Sequence, residues 1–208
     1  YFYGYMVPSS GYLKLFAVEA HNGGIVLILP KKENPNVLPD VPIPRKLFNI
    51  FTEYGEWINI LGVGDVGKLN DVIKNGGLKN LVLVAEALHE KKIAEIADLI
   101  KHQQPQKRVI MIAGPSSSGK TTFAQRLSIQ LRVNGLKPLI ISVDDYFVEK
   151  THTPLDEEGK PDYEALEAVD LHLFNQDINT LINGGEVEIP FYNFQIGMRE
   201  YKGRRLKM

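Results

Sequence analysis

Cysteine is absent from the chain. Disulfides, thiolate metal sites and cysteine nucleophiles are therefore excluded, and any chemistry falls to other side chains. An excess of one charge is lacking too, since 24 Lys and Arg face 25 Asp and Glu for a formal net charge of −1. A general nucleic-acid partner would ask for a basic excess and is not expected. Long apolar runs are missing as well. None approaches the roughly 18 residues of a membrane span, so no membrane association is expected. Nothing resembles a secretory leader, which makes the cytoplasm the expected compartment. What remains is 208 residues, 44% of them apolar, enough for one or two domains with a sizeable core.

The stretch that organises the rest is Gly114-Pro115-Ser116-Ser117-Ser118-Gly119-Lys120-Thr121, followed by Thr122. It fits G-x-x-x-x-G-K-[ST], a phosphate-binding loop, and its flanks fit too. Before it, Val109-Ile110-Met111-Ile112-Ala113 is a short apolar run of the kind that forms a buried parallel strand. After it, Phe123, Leu127 and Leu131 recur at four-residue spacing and mark one face of a helix, which Asn134-Gly135 closes. A glycine–serine turn that merely held a lysine would need neither flank.

The residue types suit the chemistry. Gly114 and Gly119 permit backbone turns closed to other residues and leave room for phosphate oxygens. The loop residues Gly114, Ser116, Ser117, Ser118, Gly119, Lys120, Thr121 and Thr122 are the candidate triphosphate contacts, through backbone N–H groups and the helix N-terminus. Lys120 can reach the β- and γ-phosphates, and Thr121 offers a hydroxyl to Mg²⁺. ATP and Mg²⁺ are the expected cofactors.

A second apolar run, Lys137-Pro138-Leu139-Ile140-Ile141-Ser142-Val143, reads as another buried strand and ends in Asp144-Asp145-Tyr146-Phe147. Carboxylates at the carboxyl end of such a strand lie where ligands bind in parallel sheets. Either acid can orient Mg²⁺ or accept a proton from an attacking hydroxyl, and either can instead cap a helix.

Upstream, Tyr1 to Pro30 reads as β structure in three runs, Tyr1–Tyr3, Tyr12–Val18 and Ile25–Leu29, divided by Pro8-Ser9-Ser10-Gly11 and His21-Asn22-Gly23-Gly24. Pro30 to Pro44 is a proline-rich connector. Arg45 to Leu61 carries an apolar helical stripe of Leu47, Phe51, Tyr54, Ile58 and Leu61. Gly62-Val63-Gly64-Asp65-Val66-Gly67 then fits the dinucleotide fingerprint G-x-G-x-x-G. It follows a helix rather than a strand, so a helix–turn–helix connection is the plainer account. Leu81 to Ile100 is a long helix with Ala85, Leu88, Ile93, Ile96 and Ile100 inward and Glu90, Lys91, Lys92 and Glu95 outward. His89-Glu90 opens like a zinc motif, but Ile93 stands at the second histidine position, so no metal site is expected there. The parts are thus 1–44, 45–104 and 105–208. The expected fold is α/β, a partial P-loop parallel sheet preceded by a small β region and a helical segment.

Gly4 to Gly11 resembles a segment of the second additional domain of threonyl-tRNA synthetases, with Phe2 and Met6 where that family carries a cysteine and a histidine. No editing activity follows. The loop, then Val143–Phe147, then Asp162-Tyr163-Glu164-Ala165-Leu166-Glu167-Ala168-Val169-Asp170, then Pro190-Phe191-Tyr192-Asn193-Phe194-x-x-Gly197-x-Arg199 stand in the order found in uridine kinases and phosphoribulokinase-like proteins. The resemblance implies a catalytic Lys120, and an Asp144 acting as base or magnesium-shell group beside the acceptor hydroxyl. It implies an acceptor site drawn from Asp145, Phe147, Asp162, Tyr163, Glu164, Tyr192, Phe194 and Arg199, with Glu164 on ribose hydroxyls and Asp162 as its substitute. Gly197 replaces a histidine of the family's base site, and Phe147 a tyrosine of its strand-end motif. Both changes remove polar contacts to a pyrimidine, so uridine itself is in doubt. His152 and His172 receive no catalytic role.

The family continues with a third strand and an arginine-bearing lid beyond the equivalent of Met208. With the start on Tyr1, this implies a fragment of a longer protein. The expected activity is transfer of the γ-phosphoryl group of ATP to a hydroxyl of a uridine- or cytidine-like nucleoside. A sugar-phosphate kinase with Arg199 and Lys202 as anion contacts is the alternative, and a nucleotide-sensing, RNA-linked regulator is the third. ATP and a small hydroxyl-bearing acceptor are the expected partners, and homo-oligomerisation is left open.

Overall fold

A computed structural model describes residues 6–21, 24–40, 44–103, 105–115 and 117–208. The chain divides into two compact units, Tyr1–Glu86 and Ala87–Met208. Tyr1–Tyr3, Gly4, Tyr5, Asn22, Gly23, Val41–Ile43, Gln104 and Ser116 lie outside the described residues.

In the first unit, β1 (Ala17–His21) and β2 (Gly24–Ile28) pair antiparallel, from Ala17 opposite Ile28 to His21 opposite Gly24. The strand expected from Tyr12 starts only at Ala17. Ser10–Tyr12 instead forms a 3-10 turn, in keeping with the turn formers Pro8, Ser9, Ser10 and Gly11. Helix α1 (Arg45–Leu61) begins after Pro44 and stops at Gly62, whose φ of 69° lets its N–H bond back to the Ile58 and Asn59 carbonyls. The Phe48 ring meets His21 edge-on at 4.7 Å. Asp65 then caps α2 (Val66–Lys74) by accepting the Lys68 N–H at 2.8 Å. The glycine run at 62–67 is therefore a helix–turn–helix connection and not a dinucleotide loop.

Helix α3 (Leu78–His102) is longer than its apolar stripe predicts, and its residues from Ala87 onward enter the second unit. There Ile93 and Ala97 pack against Leu127 and Leu131 of α4 (Lys120–Val133), with Ile96, Ile100, Ile112 and Phe123 around them. Glu90, expected to face solvent, is half-buried because Arg126 of α4 donates to it through Nε at 3.0 Å and Nη2 at 2.7 Å. Asn134 and Gly135 end α4 as expected, Gly135 at φ 78°.

The rest of the unit is α5 (Leu171–Ile182) against an antiparallel hairpin of β3 (Glu186–Asn193) and β4 (Met198–Lys207). Tyr146, Leu181, Val187 and Ile189 form its buried centre. Glu188 lies opposite Arg205 but Pro190 opposite Tyr201, so the extra residues of β4 form a bulge. Gly203 sits in it at φ 75°.

Both described sheets are two-stranded and antiparallel. The mixed helix and strand content agrees with an α/β class, but the expected parallel ladder does not form among the described residues. Val109–Ala113 and Leu139–Ser142 pair with no strand among the described residues, and a run without hydrogen-bonded neighbours leaves its side chains open. Met111 is 83% exposed and Val109 46%. No helix among the described residues is long and apolar enough to cross a membrane.

Candidate nucleotide and acceptor site

The loop between Ala113 and α4 closes on itself. Lys120 donates through Nζ to the carbonyl oxygens of Gly114 at 2.8 Å and Pro115 at 2.9 Å. Gly119 stands at φ 85° as the residue before α4, and no side chain caps that helix start. A Cβ on Gly114 would lie 2.8 Å from Ser118 Oγ, so a side chain there would require the serine hydroxyl to turn away. Ser117 holds φ 59°, unusual for a residue with a Cβ and characteristic of a strained loop. These features leave the first N–H groups of α4, before any intrahelical acceptor exists, directed at the loop with a cation beside them. No acidic residue occupies the first turn of α4. The arrangement fits an anion.

Thr121 and Asp144 are exposed oxygen donors, and the described residues contain no group of three His, Cys, Asp or Glu able to enclose a metal. Mg²⁺ typically takes one or two protein oxygens and completes its shell with phosphates and water.

Asp144 and Asp145 lie in a 3-10 turn, Val143–Tyr146, and cap no α-helix. Asp144 is exposed, whereas Asp145 is half-buried and ion-paired to Arg204 Nη1 at 3.7 Å. Burial pushes the Asp145 carboxyl above the usual range. A hydrogen bond from the Tyr192 backbone and the Arg204 charge oppose this, and the Asp144 charge adds to it. Tyr146 follows, wholly buried, its hydroxyl donating to Asp177 at 3.0 Å.

The next residue brings four of the eight predicted acceptor positions together. Phe147 meets Tyr163 at 5.2 Å, Tyr192 at 5.5 Å and Phe194 at 5.9 Å between ring centroids, all edge-to-face. Tyr192 is 2% exposed and its hydroxyl lies 3.5 Å from that of Tyr163. Burial, with the Tyr163 hydroxyl, raises the Tyr192 phenol to about 12. Phe194 leaves one ring more than half open at the edge of this cluster. Phe147, the departure from the family's tyrosine, is thus an aromatic packing centre.

Arg199 is already engaged. Its Nη1 donates to Asp170 Oδ2 at 3.0 Å, while Asp170 Oδ1 accepts the Leu173 N–H at 3.0 Å and caps α5. That backbone bond foremost, with Arg199 beside it, holds the Asp170 carboxyl below its ordinary value. Asp162 turns its carboxylate onto the Glu164 N–H at 2.9 Å, and Glu164 is exposed. Lys202 pairs with Glu200 at 3.0 Å and lies over the Phe191 ring at 3.8 Å. His152 and His172 are both exposed. Among the described residues, no hydrogen bond or ion pair joins the loop to the aromatic cluster.

Gly197 has a reason of its own. It stands at φ 68°, its carbonyl accepts the Lys150 N–H at 2.9 Å, and a Cβ would lie 2.6 Å from Lys150 Cβ. A histidine does not fit this backbone. Sequence reasoning missed Lys150, Asp170, Asp177 and Arg204 as parts of the site. A polar residue before a helix hints at the Asp170 cap, but nothing local foretells the other three.

Residues 109–205 match the family model described as Phosphoribulokinase / Uridine kinase family. Curated relatives agree. Similar to this chain are a uridine kinase of Lactobacillus helveticus (strain DPC 4571), 33% identical over 86 residues, 41% of this chain and 40% of that protein, and one of Serratia proteamaculans (strain 568), 34% identical over 88 residues, 41% of each. A uridine kinase of Chloroflexus aurantiacus (strain ATCC 29366 / DSM 635 / J-10-fl) is 31% identical over 99 residues, 48% of this chain and 46% of that protein. The chain spans less than half the length of the curated relatives it matches. The matched segment contains the loop, the acidic turn and the aromatic cluster. The resemblance of the first residues to a synthetase domain lies outside it.

Proposed function

We propose that the protein carrying this chain is an ATP-dependent phosphotransferase that moves the γ-phosphoryl group to a hydroxyl of a nucleoside, of uridine or cytidine type. The observation that carries the reading is the loop itself. Lys120 is folded onto the Gly114 and Pro115 carbonyls at the uncapped start of α4, with Gly119 in the left-handed region before it. The match of residues 109–205 to the Phosphoribulokinase / Uridine kinase family model supports the same chemistry.

In this account the backbone N–H groups of Ser117, Ser118 and Gly119 and the first turn of α4 bind the phosphates, with Gly114, Ser116 and Thr122 completing the cradle. Lys120 exchanges its carbonyl partners for β- and γ-phosphate oxygens, gaining charge-assisted hydrogen bonds. Thr121 and Asp144 would hold Mg²⁺, which when bound neutralises charge on the β- and γ-phosphates. Asp144 also takes the proton of the acceptor hydroxyl as it attacks. Phe194, backed by Phe147, Tyr163 and Tyr192, supplies a ring face for the acceptor base, and Glu164, with Asp162 in reserve, holds ribose hydroxyls. Such catalysis rests on positioning and charge neutralisation. Val109–Ala113 and Leu139–Val143 would be strands of the P-loop parallel sheet, the protein working in the cytoplasm.

A sugar-phosphate acceptor is the second reading, and the contacts of Arg199 and Lys202 weigh against it. Both candidate anion ligands are committed to protein carboxylates.

The test is ADP release by the protein that carries this chain, with ATP and Mg²⁺, across a panel of nucleosides. Stimulation by at least one pyrimidine nucleoside, absent in Lys120→Ala, is the expected result. No stimulation by any nucleoside would overturn the proposal.

A further inference from the structure

We propose that Arg204 is a positioning residue for this transfer, delivered by the β4 bulge to clasp the Asp144–Asp145 turn. The inference rests on the phosphotransferase reading and adds to it a residue that no motif points to.

The bulge is built to turn one side chain out of the hairpin. Between the pairs Glu188–Arg205 and Pro190–Tyr201, β4 carries Lys202, Gly203 and Arg204 against the single residue Ile189 of β3. Gly203 adopts φ 75°, and its N–H is held by the Glu188 carboxylate at 2.9 Å. A bulge of this kind re-aims the neighbouring side chain. The flanking cations stay on the hairpin: Lys202 pairs with Glu200, and Arg205 with Glu186 at 3.6 Å. Arg204 alone of these three leaves it. Its Nη2 donates to the Ile140 carbonyl at 2.8 Å while Nη1 faces Asp145 Oδ2 at 3.7 Å.

One guanidinium thus fastens two points of one segment, the apolar run before the acidic turn and the turn itself. Asp145 is the inward acid of the pair and Asp144 the outward one. Fixing Asp145 fixes the direction in which Asp144 is presented. The planar fork suits two acceptors at once, whereas a lysine ammonium lacks that fixed geometry. Arg204 touches neither phosphate nor acceptor in this account and acts through the turn.

The experiment compares the parent protein with Arg204→Met, which keeps an apolar stem, and Arg204→Lys, which keeps the charge. Amide hydrogen exchange of residues 142–146 is read beside acceptor-stimulated ADP release. Arg204→Met should speed exchange in 142–146 by about tenfold while α4 stays protected. It should lower kcat about 10- to 100-fold with the KM for ATP within twofold of the parent, as misplacement of a catalytic group does. Arg204→Lys should recover part of both losses. Unchanged exchange at 142–146 in Arg204→Met overturns the clasp, and an unchanged kcat overturns its role in transfer. A parent protein without acceptor-stimulated turnover sinks the phosphotransferase reading and the positioning role with it, while exchange still decides whether Arg204 holds the turn.

Discussion

Replacing Gly197 by alanine separates two costs that the structure assigns to one position. The residue holds φ 68°, so a side chain incurs the left-handed penalty of about 1–2 kcal/mol. The new Cβ would also lie 2.6 Å from Lys150 Cβ and 3.1 Å from its Cδ. Lys150 Cβ is attached to backbone that is itself bonded to Gly197 through the 2.9 Å N–H contact, so it cannot swing aside. Overpacking of this kind adds about 1–3 kcal/mol. Gly184 provides the control, because it stands at φ 81° with nothing within 4 Å of its Cβ position. Urea melts should place Gly197→Ala below Gly184→Ala by the overlap cost alone, about 1–3 kcal/mol. Adding Lys150→Gly should recover most of that difference, as a double-mutant cycle reads for two touching residues. Equal stability of the two alanine variants would refute the reasoning. So would gain of pyrimidine selectivity by Gly197→His with no loss of stability.

Tyr146→Phe removes the buried hydroxyl that donates to Asp177, itself 9% exposed, and should cost about 1–3 kcal/mol in urea melts because the acid loses its partner. The Tyr192 phenol, raised to about 12, binds its proton more tightly folded than unfolded. Its contribution is therefore fully present below the ordinary tyrosine value near 10 and lost as pH rises towards 12. Tyr192→Phe should flatten that stretch of a stability profile monitored by circular dichroism. Asp170 works with the opposite sign. Its carboxyl titrates below the ordinary value of 3.8, so its contribution is present above that value and fades as pH falls through the lowered one. Asp170→Asn should remove that acid-side slope while its amide oxygen still caps α5, and Asp170→Ala should in addition loosen the start of α5, as hydrogen exchange would report.

Local chemistry was legible in the sequence where it acts over a few residues. The bounds of α1 follow from Pro44 before it and Gly62 after it, and the same punctuation exposed the glycine run at 62–67 as a turn between helices. The loop and α4 followed from glycine spacing and a four-residue apolar repeat. Contacts distant in sequence were not legible. Arg199 and Asp170 lie 29 positions apart, Tyr146 and Asp177 lie 31 apart, and Arg204 bonds a carbonyl 64 positions before it. Such pairs leave no periodic trace. The β4 bulge was hidden because Gly203 stands in a charged run with no alternation to betray a strand. The apolar runs at 109–113 and 139–143 read as strands from composition, yet composition names no pairing partner.

The central claim is that Lys120 and its loop hold the triphosphate whose γ-phosphoryl group is transferred. Its most direct test is acceptor-stimulated ADP release in the protein that carries this chain, parent against Lys120→Ala, at saturating nucleoside. The account predicts a loss of about 10³-fold or more, since the lysine neutralises charge that develops in transfer. A Lys120→Ala protein turning over at the parent rate would contradict it.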